Sequence, residues 1–215
     1  MRLRIWTGVL LMTIATSTIA EAPRTVILPP PQTEGGKPLM QALKERHSTR
    51  EFSPEALPPQ MLSNLLWAAA GVNRPATGKR TVPSARDWRE IDVYVAMAEG
   101  MYRYDARANA LQPVVARDLR ALTGVQDFVA TAPVNLVYVA DLDRMEGAAA
   151  EQKEFYAATD AGFIAQNVYL FCASANLATV VRGSVERDTL AKAMGLAPHQ
   201  RIVLAQTVGY PAKKR

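Results

Sequence analysis

The sequence predicts an α+β fold, and three observations carry that prediction. Helical and strand patterns are mixed, without the strict β-α-β alternation of a doubly wound parallel sheet. Ile91, Val93, Val95 and Met97 alternate with Asp92, Tyr94, Ala96 and Ala98, the period that marks a strand. A helical stretch from about Ala148 to Ala178 shows hardly any polar face between Gly162 and Cys172, so it is expected to run buried through the centre.

The chain opens with Arg2 and Arg4 and continues apolar from Ile5 to Ala20 without a charge. A positive start, an apolar stretch and a small-residue exit describe a secretory signal peptide over residues 1–20. Thr7, Thr13, Thr16, Ser17 and Thr18 interrupt the apolar run, which argues against a spanning anchor. Cleavage is expected after Ala20 or Ala22, giving a periplasmic or secreted protein with no stable membrane anchor. Residues 21–37 hold Pro23, Pro29, Pro30, Pro31 and Gly35-Gly36, the composition of an extended arm or linker. One domain, residues 38–215, is expected to follow.

Within it, Met40, Leu43 and Lys44 share a helical face that ends near Arg46. A second helix follows Pro58-Pro59, with Met61, Leu62, Leu65, Leu66 and Ala69 at helical spacing, and stops at Gly71. After the alternating strand, Glu99-Gly100 turns the chain into Met101–Asp105, a hairpin. Val134–Ala140 and Thr179–Arg182 read as further strands. Ser184 is the expected cap of a helix Val185–Met194 closed by Gly195, and Arg201–Val208 is the last strand.

Composition narrows the chemistry. The 215 residues are 49% hydrophobic and 21% charged, too apolar for a disordered chain. One Cys and two His exclude a disulfide scaffold and a Cys/His zinc cluster, and no metal site is expected. The formal charge of +5 suits an anionic small ligand as well as nucleic acid, but no recognition helix or stacking motif supports the latter. Neither G-x-G-x-x-G nor G-x-S-x-G is present. Gly71 and Gly78-Lys79 imitate a P-loop, yet the glycines are too far apart and Arg80 stands where a hydroxyl is required. His47 directly precedes Ser48, and His199 sits in a turn before a strand, so neither builds a hydrolytic triad. Cys172 falls in the apolar helix and reads as packing. No catalytic acid, base or nucleophile stands out.

Three segments remain. Arg46-His47-Ser48-Thr49-Arg50 gathers cations and hydroxyls at a helix end. Alone, it is either a polyanion site or a solvated basic helix terminus. The loop from Asn73 to Arg86 holds Gly78-Lys79-Arg80 and Pro83-Ser84-Ala85, and is either a ligand-approaching loop or mobile surface. Val208-Gly209-Tyr210-Pro211 leads from the last strand into Lys213-Lys214-Arg215.

In this order, and with Asp160-Ala161-Gly162, Gln166-Asn167 and Val181-Arg182-Gly183 between them, these segments resemble the FMN-dependent nitroreductase superfamily, including its azoline-dehydrogenase-like branch. The resemblance covers about residues 38–214. It implies a mixed sheet flanked by helices, a homodimer, and FMN at the subunit interface. By position, Arg46, His47, Ser48 and Arg50 are expected to hold the phosphate and ribityl chain, with Lys213 or Lys214 adding charge there. Pro83, Ser84 and Ala85 are expected to reach the flavin from the partner subunit, and Arg182 and Gly183 to lie beside its ring. The implied function is an oxidoreductase passing hydride or electrons through flavin, to or from a small nitro-, quinone- or azoline-type substrate, with ping-pong turnover. The alternative is a non-catalytic flavin- or small-ligand-binding module. Two departures stand out. Many members carry Asn and then Gln-Pro-Trp after Pro-Ser, whereas this chain has Arg86-Asp87-Trp88-Arg89-Glu90, placing a carboxylate near the expected flavin. Export also separates the protein from cytoplasmic NAD(P)H, which leaves the electron donor open.

Overall fold

The computed structural model describes residues 24–213, so the signal-peptide assignment and Lys214 lie outside the described residues. In chain order the elements are β1 (Val26–Ile27), α1 (Leu39–Glu45), α2 (Pro59–Ala70), β2 (Val72–Arg74), β3 (Lys79–Arg80), β4 (Ile91–Met97), β5 (Gly100–Asp105), β6 (Ala110–Val115), β7 (Val134–Asp141), α3 (Ala150–Ala175), β8 (Ala178–Arg182), α4 (Arg187–Met194) and β9 (Gln200–Gly209). Short 3-10 turns fill several of the loops between them. Seven strands form one sheet in the order β1-β6-β5-β4-β7-β9-β8, and β2 pairs with β3 as a separate hairpin.

Every pairing among the described strands is antiparallel, where a mixed sheet was expected. The reason is topological. Strands β7 and β8, joined by α3, run in the same direction, but β9 inserts between them and opposes both. No parallel ladder can then form at that junction.

The alternation along β4 sorts two cores rather than a core and a solvent face. Val93 and Val95 join Leu136, Tyr138 and Val208 beneath Leu65 and Leu66 of α2 and Ile164, Val168 and Cys172 of α3. Tyr94 and Ala96 point the other way, joining Val137, Val139 and Ile202 against Leu190 and Met194 of α4. A strand buried on both faces shows apolar residues at almost every position, and β4 and β7 do.

Pro59 occupies the first turn of α2, where its missing N–H costs nothing. Gly71 ends that helix with its N–H on the Trp67 carbonyl, and a Cβ there would collide with the Trp67 side chain. Helix α3 is shorter than expected at both ends. Asn176 closes it in the left-handed region at φ +57°, and Ala178 already pairs with Gly209. It buries Ala157, Asp160, Ala161, Ile164 and Ala165 but leaves Phe155, Gly162 and Phe163 exposed, so one apolar flank of the central helix is uncovered in the single chain. Ser184 does not cap α4. The flanking residue is Glu186, because Ser184 lies in a tight turn where Val185 N bonds the Gly183 carbonyl and Val125 N takes the carbonyl of Ser184. Gly195, at φ +67°, ends α4 as expected.

The proline-rich arm is docked along the domain. Val26 and Ile27 pair with Leu111 and Ala110, Leu28 is buried, and the Pro29 carbonyl accepts from both Ser63 Oγ and Asn109 Nδ2. Proline lacks an N–H but keeps its carbonyl, and Pro29 and Pro30 are held through theirs, while Leu28 N and Gln32 N donate to Asn109 and Asn64.

Candidate functional site

The chain leaving α1 runs extended over the edge strand β8. Thr49 N donates to the Thr179 carbonyl at 2.9 Å, which lays the Arg46–Arg50 segment against the sheet edge. Ser48 Oγ shares a 2.8 Å hydrogen bond with Tyr169 OH on α3, and that phenol oxygen also accepts from Val181 N at 3.0 Å. The Arg46 guanidinium lies over the Tyr169 ring, 5.2 Å from its centroid. His47 Nδ1 donates to the Glu45 carbonyl at 2.7 Å, so that nitrogen carries a proton.

The C-terminal segment folds back onto the same place. Ser53 N donates to the Tyr210 carbonyl, Phe52 bridges Pro211, and Ala212 N donates to the Glu51 carbonyl. This antiparallel register brings Lys213 level with Arg50. Neither Arg46, Arg50 nor Lys213 has a carboxylate partner among the described residues.

Beneath them Arg182 is only 5% exposed. Its Nη1 donates to the Thr123 carbonyl at 2.6 Å and its Nη2 to Asn135 Oδ1 at 3.1 Å, while Nε is buried without a partner. The guanidinium stands over the Phe128 ring at 5.9 Å, and Phe128 packs on Phe52 at 5.3 Å. Burial alone pushes its pKa down to about 10, and no carboxylate opposes the shift. Gly124 makes room for it, since a Cβ there would collide with Arg182 Nη1. Arg50, Gln126, Phe128, Arg182 and Gly183 line a cavity of about 220 Å³. Gln126 Oε1 is a second buried polar atom without a partner on that wall. The unpaired Arg182 Nε–H, its buried charge and three surface cations fit an anionic ligand such as a phosphate monoester, while Gln126 Oε1 is left to accept from a ligand N–H or O–H.

Pro83, Ser84 and Ala85 are not part of this cluster in the single chain. Pro83 and Ser84 line a second cavity of about 690 Å³, together with Arg74, Arg80, Glu90 and Asp160, and the two cavities share no residue. The loop after Ala85 is tightly wound, with Arg86, Asp87 and Arg89 all at positive φ (50°, 58° and 52°). Asp87, the carboxylate that departs from the resemblance, is gripped by Arg89 through both oxygens at 2.8 and 2.6 Å, which holds its pKa below the ordinary value. Ser84 Oγ accepts from Arg89 N at 2.8 Å and donates to Glu90 Oε2 at 3.1 Å, and Asp160 Oδ2 accepts from Ala85 N at 2.9 Å. Glu90 is fully buried. Burial, and the Asp160 carboxyl beside it, push its pKa up to about 7. Its Oε1 has no hydrogen-bond partner, and the Asp160 carboxyl beside it favours the protonated form of Glu90.

The nitroreductase family model matches residues 43–210 of this sequence, which takes in both cavities. The chain belongs to the nitroreductase family. A nitroreductase-type protein of Methanocaldococcus jannaschii is 31% identical over 156 residues, 68% of this chain and 78% of that protein. The crystal structure of a nitroreductase-type protein from Ralstonia eutropha is 46% identical, covers 91% of this chain and 93% of that one, and superposes with a TM-score of 0.86. A nitroreductase-type structure from Desulfovibrio desulfuricans, solved in complex with FMN, shares the fold at 21% identity, with a TM-score of 0.60 and coverage of 83% and 89%.

Several residues of this nitroreductase-family site escape a sequence reading. Tyr169, which ties Ser48 to Val181, looks like one more apolar position on a buried helix. Glu90 carries no signal of its burial, since its neighbours Arg89 and Asp92 are also charged. Asp160 does carry one: it is a carboxylate inside the apolar stretch of α3, and a buried charge needs a partner. His199 is half exposed beside Asp143 at 3.3 Å and Asp141 at 3.7 Å, and lines neither cavity.

Proposed function

We propose that this nitroreductase-family chain is an FMN-dependent oxidoreductase acting as a homodimer. One observation carries the reading: Arg50 and the buried Arg182 line one cavity at the edge of β8 with no carboxylate in its lining, beside exposed Gly183, and backbone pairing brings Lys213 level with Arg50. Arg46, Ser48 and Arg50, with Lys213, would hold the phosphate and ribityl chain, and the Gly183 backbone admits a flat ring because it carries no side chain. FMN supplies the hydride or electron transfer when bound. The chain's own residues bind, orient and exclude water. Pro83, Ser84 and Ala85 would close the ring from the partner subunit, since within one chain Pro83 and Ser84 line a separate cavity. The exposed apolar flank of α3, with Phe155 and Phe163, and the exposed Leu39, Met40 and Leu43 of α1 support a dimer contact.

Small nitro-, quinone- or azoline-type substrates and ping-pong turnover are part of the proposal, as is export on the strength of the first 20 residues. Photoreduction of the flavin-loaded protein followed by reoxidation with such acceptors tests it. Rapid reoxidation by one acceptor class supports an enzyme. Reoxidation by dioxygen alone, with every organic acceptor inert, would mark a flavin-binding module instead.

A further inference from the structure

The large cavity beside Ser84 is electrostatically lopsided. Asp87 is paired with Arg89, and burial with the neighbouring Asp160 carboxyl raises the Glu90 pKa to about 7, which lightens the charge of the acidic wall. Facing it are Arg74, Lys79 and Arg80. Arg74 donates only to neutral acceptors, the Arg80 carbonyl at 2.7 Å and Asn73 Oδ1 at 3.1 Å. Lys79, which lines the cavity, acts on Asp87 only through its charge, helping to hold that carboxyl's pKa down. Arg80 is half buried, and its one hydrogen bond is a long 3.5 Å contact to the Ile91 carbonyl.

Burial above all pushes the Arg80 pKa down; Asp92 opposes this, while Arg144 and Arg89 add to it. Asp92 is already gripped by Arg144 through both oxygens, at 3.0 and 2.7 Å. A half-buried guanidinium without its own carboxylate is a ready fork for an incoming one. Val82, Pro83, Ile91 and Ile164 supply an apolar wall beside these cations. The matching ligand therefore has an apolar body and an anionic end, and a cavity of about 690 Å³ is of small-molecule size.

We propose that this cavity takes a small organic carboxylate, anchored by Arg80, with Lys79 and Arg74 completing the cationic rim. The inference rests on the flavoenzyme reading, in which Pro83 and Ser84 border the flavin, and it names the substrate class of that site as carboxylate-bearing molecules.

Calorimetric titration of the FMN-loaded and the flavin-free protein with benzoate and with benzamide separates charge from shape. Benzoate is expected to bind at least about tenfold more tightly than benzamide, with the gap shrinking in high salt. Arg80→Gln should cost benzoate about tenfold and leave benzamide unchanged. Lys79→Gln, at an exposed position, should remove a smaller part of the gap. Equal binding of the two probes, no binding of benzoate, or a gap that survives both substitutions would overturn the proposal. FMN uptake is read in the same samples. Its failure, with the benzoate preference intact in the flavin-free protein, would overturn the flavoenzyme reading and leave the carboxylate site standing.

Discussion

Ser84 donates its hydroxyl proton to Glu90, a fully buried carboxyl that in turn faces Asp160. Ala85 N is bound by the other member of that pair. The loop that carries Pro83, Ser84 and Ala85 is thus pinned from behind by two neighbouring carboxyls.

Stability should fall as pH rises through neutrality. Glu90 has its folded pKa raised from 4.5 to about 7, so its contribution is whole below about 4.5 and is lost as pH climbs through about 7. The loss is on the order of 2–3 kcal/mol between pH 5 and pH 8, or roughly 5–10 °C in Tm. Glu90→Gln keeps an acceptor for Ser84 and a neutral donor for Asp160, and should flatten this part of the curve. A Gln variant with an unchanged Tm–pH profile would show that Glu90 is not the titrating group.

Gly124→Ala should expel Arg182 from its pocket, since the added methyl occupies the place of Nη1. The Thr123 carbonyl and Asn135 would lose their donor, a cost of about 2–4 kcal/mol. Urea unfolding measures this. A variant within about 0.5 kcal/mol of the parent would mean that the loop shifts freely.

Tyr169→Phe removes the oxygen that joins Ser48 to Val181 N. Loss of about 1–2 kcal/mol is expected, with weakened FMN binding because Ser48 is no longer oriented. Retained stability and full FMN affinity would show that the phenol is dispensable.

Opposite halves of the proposed flavin site can be tested by mixing. Arg50→Ala should weaken FMN binding about tenfold to a hundredfold, and riboflavin less, because a charged hydrogen bond contributes roughly 1.5–3 kcal/mol. Ser84→Ala should weaken both flavins alike. Mixed dimers of the two variants should regain about one parent-like FMN site per dimer. No recovery after verified chain exchange would place both residues in the same half.

Most of the fold was legible because its signals are local. The alternation of β4, the Glu99-Gly100 turn, Pro59 and Gly195 each act within a few residues. Strand β6 was not, since Pro113 breaks its pattern and it is held by pairing to β5. The antiparallel sheet was also hidden, because the insertion of β9 between β7 and β8 is a long-range choice. At the site, the charge of the Arg46–Arg50 cluster was visible, but alone it also suited a solvated helix terminus, and the resemblance assigned it. The burial of Glu90 and the inward turn of Arg182 could not be read, because each depends on Asp160, Thr123 or Asn135 arriving from distant parts of the chain.

The most direct measurement is the flavin content of the purified protein. A yellow preparation is expected, releasing about one FMN per chain on denaturation, with Arg50→Ala largely depleted. A colourless protein that also fails to take up added FMN would contradict the reading of Arg50, Lys213 and Gly183 as a flavin site.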